Sequence, residues 1–378
     1  MKTIGIFTSG YGHESIAQAI AEKIKQKAGD RYRVKLFFRK EVLDLAYNSL
    51  YRFSPSSLGA AFRIISSLTK KDQASRKFIE TVFSVGEEKN VREFVKKNKI
   101  EMNISTYITF NPILERLQDK DIPFINVITD PRTTLNLGVS EKNDLDLVFD
   151  KHVVDHYKNK NMKISGWFVR NKFEENYKKK TIREKLKISD DLTILIASGS
   201  EGSNTILKIL PSIINCNKKV NFIIACGNNK FLYGNVIGIK QSLENISSSK
   251  ASIIPLGFTK NLQVYMQAAD LVVGKAGPNT IFESVACETA FFAITHIHGQ
   301  EDGNLEIIKD YKIGFVEEDT KKANKKLTNL IEHPEKIAAF TENIKALKKY
   351  NQNSINILLK EIDRLLESPH GSKSEKTK

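Results

Sequence analysis

Cysteine is scarce in this chain, and what is missing narrows the field first. The three cysteines, Cys216, Cys226 and Cys287, are widely spaced and form no CxxC pair. That leaves neither a disulfide framework nor a cysteine-based zinc site, and points to a reducing compartment. No uninterrupted apolar run approaches the roughly 18 residues a membrane-spanning helix needs. The N-terminal run TIGIFTS is too short for the apolar part of a secretory signal. The expectation is a cytoplasmic protein whose membrane contact, if any, is peripheral. A dinucleotide fingerprint is also incomplete. SGYGHES has glycines at 10 and 12, but serine at 15, and the strand VKLFF is followed by Arg39-Lys40 rather than an acidic residue.

Positive charge, by contrast, is abundant. The formal net charge is +15, and residues 1–180 hold 33 Lys and Arg against 22 Asp and Glu. A basic first half suits an anionic partner such as nucleic acid or acidic lipid, although lysine inflated by an AT-rich coding sequence gives the same excess. Interleaved aromatic stacking motifs and a recognition-helix pattern are lacking, so nucleic acid is not expected. Residues 42–83 mix Leu, Tyr, Phe and Ile with Arg52, Arg63, Lys70 and Lys71. Such a segment can lie in a membrane interface, or pack on its own domain as an ordinary amphipathic helix.

Strands alternate with helices along most of the chain. TIGIFTS, VKLFF (34–38), MNISTY (102–107), FINVITD (124–130), LDLVFD (145–150) and MKISG (162–166) read as strands of the first half. LTILIASGS (192–200), VNFIIACG (220–227), ASIIPLGF (251–258), ADLVVGKAG (269–277) and TAFFAITH (289–296) repeat the pattern. Two α/β units of similar size predict two doubly wound, Rossmann-like domains facing a cleft. The expected division is 1–175, 181–350, a C-terminal helix over 351–368 and a disordered tail over 369–378. Spacing of apolar residues over 335–366 reads as helix throughout.

Ligands in such folds sit at the carboxyl ends of strands. Four loops there carry chemistry. His13 starts a helix whose positive end favours a neutral imidazole, able to accept a hydroxyl proton. Asp130 ends a strand, where it can orient a histidine, bind a hydroxyl, or simply cap a turn before Pro131. SGSEGS (198–203) offers small residues and amides to a phosphate, yet lacks the Gly-Lys-Ser/Thr ending of a P-loop. GKAGPNTIFES (274–284) opens another helix, with Glu283 able to take both hydroxyls of a ribose. HGQEDGN (298–304) is dense in side chains that hydrogen-bond sugars.

In this order, SGYGHESIAQAI, VITDP, ASGSEGS, and PLGF…MQAADLVVGKAGPNTIFESVACE…HGQEDGN resemble the GT-B glycosyltransferases of family 28. That group includes the monogalactosyl- and processive diacylglycerol glucosyltransferases and the enzyme that adds N-acetylglucosamine to a lipid-linked peptidoglycan precursor. The resemblance reaches to about residue 365. It implies that His13 is the base on the acceptor hydroxyl, that Asp130 supports catalysis, and that Gly12 belongs with the residues that bind the UDP-sugar. It implies that Gly199, Ser200 and Gly202 form the phosphate loop and that Phe258 stands where a backbone group meets uracil. Lys275, Gly277 and Thr280 would line the diphosphate turn, Glu283 would bind ribose, and Gln300, Glu301 and Asn304 would contact the donor sugar. Two stretches depart from the pattern. After Asp130 the chain reads Pro131-Arg132-Thr133-Thr134-Leu135, without the His and Trp usual in lipid-galactosylating members. After Lys275 it reads AGP where many members have PGG.

The expected activity is inverting transfer of a hexose from a UDP-sugar to a membrane lipid, diacylglycerol first. A polyprenyl-linked or other envelope acceptor is the alternative, and UDP-N-acetylglucosamine 2-epimerase a more distant one. No DxD-like pair lies near the loops, so neither metal nor cofactor is expected; helix N-termini and amides would carry the charge of the leaving diphosphate. The expected partners are the UDP-sugar, the lipid acceptor and an anionic membrane surface met through 42–83. The expected location is the inner face of the cell membrane.

Overall fold

A computed structural model describes residues 1–39, 67, 86–118, 122–140, 142–158, 161–175, 177–197, 204–245 and 250–367. The loop 198–203, the tail 369–378 and all of the basic segment 42–83 but residue 67 lie outside these residues. The described residues fall into two compact units. One comprises 1–39, 86–171 and 350–367, and the other 172–349.

The first unit is built on β1 (Lys2–Thr8), β2 (Tyr32–Phe38), β3 (Met102–Ser105), β4 (Phe124–Val127), β5 (Leu145–Val148) and β6 (Met162–Ile164). They form one parallel sheet in the order β2-β1-β3-β4-β5-β6. The chain leaves β1 in one direction and resumes at β3 in the other, so the switch point lies between these two strands. The register places Ile4 opposite Met102 and Ile6 opposite Ile104 on one face. Helix Tyr11–Ala28 buries Ile16, Ala19, Ile20 and Ile24, a four-residue spacing that gives it one apolar side. Each such isoleucine contributes about 1.5–3 kcal/mol by leaving water. The opposite face of the sheet packs Phe7 and Phe124 against Val91 and Val95 of helix Glu88–Asn98 and Ile113, Leu114 and Leu117 of helix Asn111–Gln118.

The C-terminal stretch is not one continuous helix. It breaks into Glu335–Ala338, Thr341–Gln352 and Ser354–Glu367, and the last of these returns to the first unit. Lys2 Nζ donates to the Leu366 carbonyl at 2.8 Å, and Asp363 receives Arg31 and the Tyr32 hydroxyl. Tyr350 donates to the Phe149 carbonyl at 2.6 Å, and Asn351 accepts from the Trp167 amide at 3.0 Å. Gly166, with φ +81°, permits this approach. A Cβ there would sit 3.2 Å from Asn351 Oδ1 and 3.3 Å from the Tyr350 carbonyl oxygen.

The second unit contains β7 (Leu192–Ala197), β8 (Val220–Ala225), β9 (Ala251–Leu256), β10 (Leu271–Lys275), β11 (Ala290–Thr295) and β12 (Gly314–Val316). All pairings are parallel, in the order β12-β11-β10-β7-β8-β9. The switch point lies between β7 and β10. The strand β12 was not expected; three residues are too few for a period to register. Of the other strands, β2 ends at its expected limit, β1 and β11 end one residue before it, and the rest end two or three residues before it.

Candidate active site

In the first unit the switch point brings three elements around one imidazole. Gly10 caps helix Tyr11–Ala28 in extended conformation, with open space where a Cβ would be. Gly12 and His13 follow in the first turn. His13 Nδ1 lies 2.9 Å from the Thr106 carbonyl oxygen beyond β3 and 3.0 Å from Thr129 Oγ1 beyond β4. A carbonyl oxygen can only accept, so Nδ1 carries a hydrogen, and in the neutral ring the lone pair then falls on Nε2. Thr106 is fixed in turn, its amide donating to the Phe7 carbonyl at 3.0 Å and its hydroxyl to Thr8 Oγ1 at 2.8 Å. The ring also rests on Tyr107, with centroids 4.7 Å apart. Thr106, Thr129 and Tyr107 were not singled out in the sequence. Thr129 alone had a signal, since it precedes Asp130 in VITDP.

Asp130 is half-buried after β4, and its charge acts on Tyr157. The Tyr157 phenol is pushed up to about 12, first by burial and then by this carboxylate. It donates to the Thr134 carbonyl at 2.8 Å. Arg132, part of the departure from the family pattern, is locked to Asp150. Nη2 and Nε lie 2.8 Å and 3.0 Å from Asp150 Oδ2, and both side chains are less than a tenth exposed. Asp150 Oδ1 meanwhile caps helix Lys151–Tyr157 by accepting from the His152 amide at 3.0 Å. Segment 130–134 is therefore tied down at Arg132 and Thr134.

A buried polar network links β4 and β5. Asp146 Oδ1 accepts from Asn126 at 2.6 Å and Asn143 at 2.7 Å, and Asn126 also donates to the Gly138 carbonyl at 2.8 Å. Asp146 is fully buried, and burial pushes its carboxyl up to about 7 against these hydrogen bonds.

In the second unit Gly199, Ser200 and Gly202 lie outside the described residues. The strand ends flanking that loop are described. Gly274 on β10 passes Ala197 on β7 so closely that a Cβ would stand 2.1 Å from the Ala197 carbonyl oxygen, so only glycine fits. Lys275 ends β10 and pairs its ammonium with Glu301 Oε1, with both side chains largely buried. Glu301 Oε2 accepts from the Ile297 amide at 2.7 Å. Gly277 packs against this pair; a Cβ there would be 3.4 Å from Lys275 Nζ and 3.6 Å from Glu301 Oε1. It also caps helix Pro278–Ala286, which has no side-chain cap at its N-terminus and carries Thr280 in its first turn. Glu283 is buried on that helix. Asn304 Nδ2 donates to the Ala276 carbonyl at 2.8 Å, so the start of helix Asp302–Asp310 is joined to the same turn. Lys275, Gly277, Glu301 and Asn304 are thus one connected group. Gln300 is half-buried on the turn before Glu301, and Phe258 is exposed beyond β9.

Two parallel six-stranded sheets with flanking helices define the fold class, GT-B. Residues 193–358 match the glycosyltransferase family 28 C-terminal domain, and residues 13–168 match the monogalactosyldiacylglycerol (MGDG) synthase model. Among curated relatives, a processive diacylglycerol beta-glucosyltransferase of Bacillus licheniformis is 26% identical over 96% of this chain and 94% of its own. Monogalactosyldiacylglycerol synthase 3 of Arabidopsis thaliana is 25% identical over 94% of this chain and 78% of its own. Of solved structures, MurG of Acinetobacter baumannii matches with TM-score 0.62 at 15% identity, covering 96% of this chain and 100% of that one. The UDP-GlcNAc 2-epimerase of Neisseria meningitidis matches with TM-score 0.61 at 14% identity, over 96% and 100%. Transferase and epimerase share the fold, so the fold alone does not separate them. The family models do, in favour of the transferase.

Proposed function

We propose that the protein transfers a hexose from a UDP-sugar to a hydroxyl of diacylglycerol, with inversion at the anomeric carbon. The observation that carries this reading is the contact of His13 Nδ1 with the Thr106 carbonyl oxygen at 2.9 Å. With the hydrogen on Nδ1, held by the Thr106 carbonyl, Nε2 offers its lone pair to an acceptor hydroxyl. The relatives named as diacylglycerol glucosyltransferase and MGDG synthase support a lipid acceptor. As Nε2 takes the hydroxyl proton, the acceptor oxygen bonds to the anomeric carbon. The bond from that carbon to the β-phosphate oxygen breaks, and UDP leaves with the electron pair. A single displacement inverts the centre.

Asp130 serves the acceptor side in this reading, with Gly12 leaving room beside the base. The donor side uses Gly199, Ser200 and Gly202 with Lys275, Gly277 and Thr280 for the diphosphate, Glu283 for ribose, Phe258 for uracil, and Gln300, Glu301 and Asn304 for the hexose. The uncapped N-terminus of helix 278–286 stabilises the charge of the departing diphosphate without a catalytic metal or cofactor. No helix among the described residues is long and apolar enough to cross a membrane. We place the protein on an anionic membrane surface, on the cytoplasmic side, held through the basic segment 42–83.

The test is a transfer assay with UDP-glucose, UDP-galactose and UDP-N-acetylglucosamine, offering diacylglycerol vesicles and a polyprenyl-linked sugar as acceptors. Glycolipid formed from diacylglycerol supports the proposal. Product formed from the polyprenyl acceptor alone replaces the acceptor, and no product from either overturns the transfer to lipid.

A further inference from the structure

The turn between β11 and helix Asp302–Asp310 holds a second cluster that the transfer chemistry does not use. It runs Thr295-His296-Ile297-His298-Gly299-Gln300-Glu301-Asp302. His296 is buried, and both its ring nitrogens face carboxylates. Nδ1 lies 2.7 Å from Glu318 Oε1 and Nε2 lies 2.8 Å from Asp302 Oδ1. The His298 ring stands against it at 4.2 Å between centroids. One ligand atom each from His296, His298 and Asp302 fall within 4.8 Å of one another. Around a tetrahedral zinc ion, bonds of 2.0–2.2 Å place ligand atoms about 3.3 Å apart. His298 and Asp302 are exposed side chains, so rotation about their own bonds closes that difference. Asp302 is already oriented, with Oδ1 accepting from the Gly299 amide at 2.7 Å.

We propose that His296 Nε2, His298 and the Asp302 carboxylate form a binding site for a transition-metal dication of the zinc class. Two imidazoles and one carboxylate suit zinc, copper or nickel rather than magnesium or calcium. Glu318 completes the arrangement from behind, because a carboxylate accepting the Nδ1 hydrogen fixes which nitrogen faces the ion and raises its basicity. Glu301 has a different task. Its two oxygens are committed to Lys275 and to the Ile297 amide. Asp302 is the carboxylate of this turn left for the ion. The bound ion would bridge the two ends of the turn that carries Gln300 and Glu301, clamping it. It would take the place of the hydrogen that now links His296 to Asp302, so the role is structural and separate from the departure of UDP.

The full chain, stripped with a chelator, is titrated with zinc chloride by calorimetry and with cobalt(II) by visible absorption. One ion per chain is expected, with cobalt bands of a low-coordinate nitrogen and oxygen site. His298→Ala and Asp302→Asn change exposed side chains and should each weaken binding more than tenfold, with the circular dichroism spectrum unchanged. Glu318→Gln should weaken it about 10- to 100-fold through the lost support to His296. His333→Ala, an exposed histidine paired with Glu335 elsewhere, should leave it unchanged. If no stoichiometric ion binds, or if H298A and D302N bind as the parent does, the cluster is a proton-bridged structural link and the metal site is refuted.

Discussion

Thr129 Oγ1 lies 3.0 Å from His13 Nδ1, across 116 residues of sequence. The same nitrogen faces the Thr106 carbonyl at 2.9 Å. Helix 11–28, the end of β3 and the end of β4 therefore meet at one ring, and two uncharged oxygens set its orientation. The candidate base owes its direction to groups that have no part in proton transfer themselves.

Loss of the Thr129 hydroxyl should loosen that orientation. Thr129→Val is expected to lower kcat about five- to tenfold, the size of one neutral hydrogen bond of about 1 kcal/mol. The KM for the donor should stay unchanged, and Thr129→Ser should restore the rate. Steady-state kinetics of the two variants check this. A valine variant as fast as the parent would remove Thr129 from the site.

Asp146 makes stability depend on pH. Its carboxyl is held at about 7 in the folded protein against 3.8 as its ordinary value. The folded state keeps the proton while the unfolded chain has lost it, so stability is full below the ordinary value and falls as pH rises through this window, levelling off above about 7. Urea midpoints between pH 4 and 8 should fall, with a shallower slope in Asp146→Asn, whose amide does not titrate. Identical slopes in the two proteins would contradict the assignment.

The Arg132–Asp150 pair should show the asymmetry of buried ion pairs. Arg132→Met leaves a buried carboxylate without its partner and is expected to cost about 3–5 kcal/mol. Adding Asp150→Asn removes the charge while keeping a side chain able to cap helix 151–157, and should recover part of the loss. Denaturant unfolding of the single and double variants decides. A double variant less stable than Arg132→Met alone would show that the pair is not coupled in this way.

Lys275 and Glu301 form another coupled pair. Lys275→Met strands the Glu301 carboxylate and should lower both stability and donor affinity. The double variant Lys275→Met with Glu301→Gln should regain stability but not affinity, because neither group then meets the donor. Thermal melts with and without UDP separate the two effects. Full recovery of UDP binding in the double variant would exclude the pair from the donor site.

The doubly wound architecture was legible because parallel strands buried on both faces form apolar runs, and LTILIA and LVVG need no partner to be recognised. The break of the C-terminal stretch at residue 353 was not. The apolar spacing continues across it, and only the anchoring of Tyr350 and Asn351 at Phe149 and Trp167 shows where the chain turns back. In the site, the roles given to His13, Lys275, Gly277, Glu301 and Asn304 came from the resemblance, and the loops that carry these residues were legible as the ends of strands. Their pairing was not, since Lys275 and Glu301 looked like separate ligands of the donor. Arg132 read only as a departure, because its partner Asp150 is set by the neighbouring positions of β4 and β5. Asp146 gave no signal at all. Its raised carboxyl follows first from burial, against hydrogen bonds from Asn126 on β4 and from Asn143 three residues before it.

The central claim is that His13 Nε2 deprotonates a lipid hydroxyl. Transfer from labelled UDP-sugar to diacylglycerol by His13→Gln, with UDP binding measured on the same preparation, tests it most directly. The account expects a loss of about 10²–10⁴-fold in kcat with UDP affinity unchanged. Transfer at the parent rate would contradict it.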